Sequence, residues 1–162
     1  SYPTVTAEQA RNAITLAQVA RDLEVPRYGL QIAIATAIQE SKLVNLTGGD
    51  RDSGGLFQQR PSAGWGSRAE ITNPVLAARA FFGMAQHTAK PGLLDIPGWS
   101  QMPLTQAAQA MLDHPQSEEA VSFALGDETG QPQADDKRVL ELWRAVENAR
   151  QWGLGVPADN RG

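Results

Sequence analysis

The sequence contains no cysteine, which excludes both a disulfide framework and a thiolate metal site. This absence fixes no compartment, because exported proteins also fold without disulfides. No apolar run approaches the roughly 18 residues of a membrane span, so no membrane insertion is expected within the chain. The basic-then-apolar start of a signal peptide is missing too. The chain opens at Ser1 without Met, as a trimmed or mature chain would, and any export signal or anchor would then lie outside it. Positive charge is in short supply: 14 Lys and Arg face 18 Asp and Glu, for a net charge of −4. That balance argues against general nucleic-acid binding, which uses a basic face, and against a cationic attack on anionic envelopes. The only two histidines, His87 and His114, are isolated, so no metal site is expected. Phosphate-binding Gly loops and nucleophile elbows are also lacking, and no cofactor is expected.

The 162 residues suit one domain, 1–162, with loose termini at 1–5 and 154–162. A domain of this size buries roughly 70% of its unfolded surface and needs no covalent staples. Thr6-Ala7-Glu8-Gln9 reads as a capping box opening a first helix, with Ala13, Ile14, Ala17, Ala20 and Leu23 as its buried stripe. Pro26 suits the first turn of a second helix, to Ser41. That helix is apolar almost all round, the pattern of a helix buried in a core. Residues 47–68 hold six Gly and one Pro and read as loop, with one helical turn over Leu56–Arg60. Asn73-Pro74 reads as a cap and first helical residue of a helix to about His87, with Leu76, Ala77, Ala80, Phe81 and Met84 inward. Residues 88–103 read as loop. Further helices are expected over Leu104–Asp113, 117–125 and 135–152. Clear period-2 strands and internal repeats are absent. The expected class is all-α, with at most a minor hairpin near residues 47–57.

Chemical density concentrates in one place. Glu40 ends the apolar helix, where the helix dipole disfavours negative charge and apolar neighbours penalise it further. Both effects would raise a carboxyl pKa toward what a general acid needs. A merely solvated Glu on a last helical turn is the plain alternative. Asp52-Ser53-Gly54-Gly55-Leu56-Phe57-Gln58-Gln59-Arg60 follows. Its Gly residues permit close backbone approach, and its Gln amides offer donors and acceptors suited to sugar hydroxyl and N-acetyl groups. An ordinary surface loop is the alternative here.

Ile34 through Leu43, then Asp50-Arg51-Asp52-Ser53, then Gly55-Leu56-Phe57-Gln58-Gln59-Arg60-Pro61-Ser62 together resemble the lysozyme-like domains of exported actinobacterial proteins. More broadly, Glu40-Ser41 followed by Gly55-Leu56-Phe57-Gln58 resembles the Glu-Ser and Gly-Leu-Met-Gln motifs of soluble lytic transglycosylases. The resemblance covers roughly residues 28–110. It implies a two-lobed helical domain with a glycan cleft, located outside the cell or in its envelope. It also implies Glu40 as the catalytic acid/base, with Ser41 and Gln58 positioning Glu40 or the sugar, and Gln59 and Arg60 as further candidates. The implied partners are peptidoglycan glycan strands, with cell-envelope proteins as further candidates. The family's third motif has Tyr-Asn after an Ala pair. Here Ala107-Ala108 is followed by Gln109, which departs from it and stands as the equivalent candidate.

The implied reaction is cleavage of the MurNAc–GlcNAc β-1,4 bond by lytic transglycosylation, giving a 1,6-anhydroMurNAc end with one carboxylate. Hydrolysis ordinarily uses two. Asp50 and Asp52 are the candidates for the second, although Asp is also a common turn former. Trp65, between Gly64 and Gly66, reads as an exposed cleft-lining residue that stacks on sugar. Trp99 and Tyr28 are either stacking platforms or core, and Phe81 and Trp143 read as core. Two rival readings remain. One is a catalytically silent glycan-binding or scaffolding domain, since fold does not guarantee activity. The other is a DNA-binding helix-turn-helix over residues 14–38; its second helix has one Arg, no Lys and an apolar surface, which disfavours it.

Overall fold

A computed structural model of the chain describes residues 6–111. The expected helices over 117–125 and 135–152, the core role of Trp143 and the two loose termini lie outside the described residues. Within them the fold is helical: α1 (Ala7–Asp22), α2 (Arg27–Ser41), α3 (Arg68–Ile71), α4 (Pro74–Phe82) and α5 (Leu104–Ala110). Single 3-10 turns at Pro61–Ala63, Leu93–Asp95 and Trp99–Gln101 punctuate the connections. No strand forms among the described residues. In place of the expected hairpin near 47–57 stands one antiparallel bridge, between Gly54 and Gln59. The expected helical turn over Leu56–Arg60 is likewise replaced by hydrogen-bonded turns, and the helical geometry begins at Pro61.

The helices begin where their caps dictate. Thr6 Oγ1 accepts from the Gln9 backbone N–H (3.1 Å), and Gln9 Oε1 accepts from the Thr6 N–H (3.0 Å). This reciprocal pair satisfies two of the donors a helix start leaves open. Asn73 Oδ1 accepts from Val75 and Leu76 (3.0 and 3.2 Å) and starts α4 with Pro74 in its first turn. The short helix α3 uses the same device, with Ser67 and Glu70 as the reciprocal pair.

Helix α4 stops at Phe82, well before His87. Gly83 takes φ +83° and turns the chain by closing on the Arg79 and Ala80 carbonyls. A Cβ at this position would overlap the Asp95 carboxylate and the Gly92 backbone. Beyond it Met84 is exposed rather than inward. Helix α5 also ends early, at Ala110.

The centre of the core is α2. Ile32, Ala33, Ile34 and Ala35 are consecutive and all buried. Successive helical residues point about 100° apart, so such a run leaves no solvent face. Helices α1 and α5 pack on α2, and α4 packs on α1. Tyr28, at the start of α2, is core: its hydroxyl donates to the Met102 carbonyl (2.7 Å) and its ring lies parallel to that of half-buried Trp99, centroids 6.5 Å apart. A smaller cluster of Trp65, Ile71 and Ala80 sits beside the main core.

Candidate functional site

Glu40 is half-buried on the last turn of α2. The helix ends abruptly one residue later, at Ser41. Lys42 and Leu43 both take left-handed backbone (φ 56° and 59°), a conformation that costs an L-residue about 1–2 kcal/mol. Consecutive non-Gly residues of this kind persist only where surrounding bonds over-determine them. The bonds come from α1 and from α2 itself. Gln9 Nε2 donates to the Lys42 carbonyl (2.9 Å). Buried Asn12 donates through Nδ2 to the Leu43 carbonyl (3.0 Å). The Leu43 N–H reaches back to Ala37 (3.1 Å). Asn12 therefore helps to place Glu40, although it belongs to no motif. Its trace in the sequence is a polar residue on the buried stripe it shares with Leu16 and Val19.

Ser41 joins the two motif segments. Its buried hydroxyl lies 2.8 Å from the Leu56 carbonyl and 3.0 Å from the Ala37 carbonyl, as donor. The Glu-Ser helix end is thereby bonded to the Gly-Leu-Phe-Gln loop fifteen residues on. The loop is then fastened residue by residue. Gly55 donates to the Leu46 carbonyl (2.7 Å) and has φ +82°, and a Cβ there would run into the Ile71 carbonyl. The Phe57 ring stacks on Phe81 of α4, centroids 4.5 Å apart. Gln58 Oε1 accepts from the Ser53 hydroxyl (2.9 Å), and Nε2 donates to the Gly55 carbonyl (3.1 Å). Gln59 Nε2 donates to Ala77 of α4 (3.2 Å).

The sequence-derived candidates consequently separate into different roles. Ser41, Gln58 and Gln59 are buried, and their side chains fasten the loop. Trp65 is also buried, 5% exposed, which corrects the expectation of an exposed stacking residue. Ile71 and Ala80 pack with it, and the Lys90 ammonium lies 5.1 Å from the centroid of its ring. Gln109 lies on α5, next to buried Ala107 and Ala108. Of the candidates described, Glu40 is the carboxylate at the junction of the motifs.

Asp52 is fully engaged within the loop. Oδ1 accepts from Arg60 Nε (2.8 Å) and the Ser62 hydroxyl (3.0 Å), and Oδ2 accepts from the Ser62 N–H (2.8 Å). The Arg60 guanidinium, followed by the two Ser62 donors, holds this carboxyl well below the usual carboxylate range. Arg68, unmarked by any motif, donates to the Asp52 and Thr47 carbonyls (2.8 and 2.9 Å) and closes the loop over α3.

Two hollows share Trp65 and Met111 as walls. The smaller, about 10 Å³, lies among Phe57, Gln59, Trp65 and Phe81. Buried Gln59 Oε1, one of its lining groups, has no hydrogen-bond partner, and the volume corresponds to about one water molecule. The larger, about 380 Å³, is a groove between Trp65, Lys90 and the 91–97 segment. Among the described residues, no set of three His, Cys, Asp or Glu is grouped to hold a metal ion. No described helix is long and apolar enough to cross a membrane. In comparison with known proteins, no family model and no curated protein matches the chain.

Proposed function

We propose that the chain cleaves peptidoglycan glycan strands at the MurNAc–GlcNAc β-1,4 bond, by lytic transglycosylation, with Glu40 as the single acid/base. The chain would then work outside the cell or in its envelope, as a lysozyme-like helical domain of two lobes around a glycan cleft. The observation that carries this reading is the bond from Ser41 to the Leu56 carbonyl (2.8 Å). It joins the two segments that carry the lytic-transglycosylase resemblance where a Glu stands on the last turn of a buried helix.

The chemistry balances with one carboxyl group. Protonated Glu40 gives its proton to the glycosidic oxygen as the C1–O bond breaks. The resulting carboxylate takes the proton of the muramyl 6-hydroxyl, whose oxygen bonds to C1. Product is a 1,6-anhydro ring, and Glu40 is again protonated. The nucleophile belongs to the substrate, so effective molarity is high and no second carboxylate is needed. Asp52 supports this choice over hydrolysis. Both its oxygens already accept bonds from Arg60 and Ser62, which leaves it poorly suited to activate water or attack a sugar.

Mass spectrometry of digested sacculi tests the assignment. The expected products are muropeptides ending in 1,6-anhydroMurNAc. Hydrated reducing ends in their place would assign hydrolysis, and intact sacculi would leave no cleavage activity to assign.

A further inference from the structure

We propose that the groove beside Trp65 takes the carboxylate-bearing peptide attached to the glycan, with Lys90 as its anion partner. This rests on the peptidoglycan reading above and names the part of that substrate which the groove would hold.

Lys90 lies against Trp65 and is tied to it from two sides. Its ammonium lies 5.1 Å from the centroid of the Trp65 ring. Its backbone N–H donates to Thr88 Oγ1 (3.2 Å), and the Thr88 hydroxyl donates to the Gly64 carbonyl. Both the backbone and the ammonium are thus tied to the same 64–65 segment. A lysine held this way has already lost part of the rotamer entropy that binding would cost. The face of an aromatic ring attracts a cation without accepting its N–H donors as a carboxylate does. Among the described residues Lys90 makes no ion pair, and the Asp95 carboxylate, which lines the same groove, is turned to the Gly92 N–H through Oδ2 (2.8 Å) rather than to the ammonium. An ammonium with no ion pair among the described residues therefore lines a groove of about 380 Å³, within the range that small ligands occupy.

The rest of the wall selects among anions. Pro91, Ile96, Pro97 and Met111 are apolar. A bare phosphate or sulfate would gain nothing from them. The N-acetyl sugars of the glycan are neutral and would gain nothing from the ammonium. The peptide on the muramyl lactyl group begins with an alanyl methyl group and then carries glutamyl carboxylates, and it matches both features.

The test compares N-acetylmuramyl-L-alanyl-D-glutamate with its diamide, bound to the full chain and followed through the indole N–H resonances and by calorimetry. The diacid should bind about fivefold more tightly at low salt, the upper range for a partly exposed ion pair, and high salt should reduce the difference. Lys90→Met should remove the preference, while Lys90→Arg should keep it. The Trp65 indole resonance, assigned with Trp65→Phe, should shift on titration. Equal affinity for diacid and diamide in the wild type overturns the proposal. So does a preference that survives Lys90→Met, or one that leaves the Trp65 resonance unmoved. Glu40→Gln should bind the diacid like the wild type. A wild-type chain that binds the diacid selectively but cleaves no glycan would refute the catalytic reading alone.

Discussion

Asn12→Ala isolates the α1 clasp from every motif residue. The substitution removes the Nδ2 donor that lies 3.0 Å from the Leu43 carbonyl and leaves that carbonyl unpaired beside a fully buried side chain. Leaving a buried acceptor unsatisfied costs about 1–3 kcal/mol. The turn it holds contains two consecutive left-handed non-Gly residues, each about 1–2 kcal/mol above right-handed backbone, so relaxation of the turn offsets part of the loss. A destabilisation of about 2 kcal/mol is the balance expected from these two terms. With a urea m-value of about 2 kcal/mol/M, the unfolding midpoint should fall by about 1 M. Glu40 lies three residues before Leu43, so turnover at temperatures where the variant stays folded should fall as well. Asn12→Asp should be no better, because an ionised carboxylate cannot donate to a carbonyl. A midpoint shift below about 0.25 M in both variants, with turnover unchanged, would show that the clasp neither stabilises the turn nor positions Glu40.

Three further perturbations follow from the same geometry. Lys42→Gly should stabilise the chain by about 0.5 kcal/mol, since relief of left-handed strain exceeds the entropy cost of Gly; a lowered urea midpoint would contradict it. Gly55→Ala should cost about 2 kcal/mol or more, because φ +82° is strained for Ala and the added Cβ meets the Ile71 carbonyl; unfolding at the wild-type midpoint would refute this. Asp52 has a folded pKa depressed by Arg60 and Ser62, so its contribution is present above its unfolded pKa of about 3.9 and is lost as pH falls through the folded value. The stability difference between wild type and Asp52→Asn should therefore shrink as pH drops below about 4, and a difference that grows instead would invert the sign of the linkage.

The parts legible from residues alone were those governed by local rules. Thr6 with Gln9, and Asn73 with Pro74, announce helix starts because a cap is a short-range bargain between side chain and backbone. The all-round apolar run of α2 announces burial for a similar reason. Ser67 with Glu70 carries the same capping signature as Thr6 with Gln9, but α3 is four residues long, too short for apolar periodicity to mark it. The end of α4 was obscured by Met84 and Ala85, which continue the apolar pattern past the Gly83 stop. Trp65 illustrates a different limit. Its Gly neighbours and polar loop suggest exposure, yet Ile71, Ala80 and Lys90 reach it from segments six to twenty-five residues away. The candidate site divides along the same line. The resemblance singles out Ser41, Gln58 and Gln59 by type, but which of their atoms face inward depends on bonds to Leu56, Ser53 and Ala77, which lie 15, 5 and 18 residues away.

Glu40 carries the central claim, and Glu40→Gln tests it with little change of shape. The decisive measurement is the initial rate of soluble muropeptide release from purified sacculi by wild type and Glu40→Gln, at equal folded concentration checked by urea unfolding. A loss on the order of a thousandfold is expected when the only acid/base is removed, with the urea midpoint near that of the wild type. Release by Glu40→Gln at a rate close to wild type would contradict the assignment of Glu40 and, with it, the single-carboxylate mechanism.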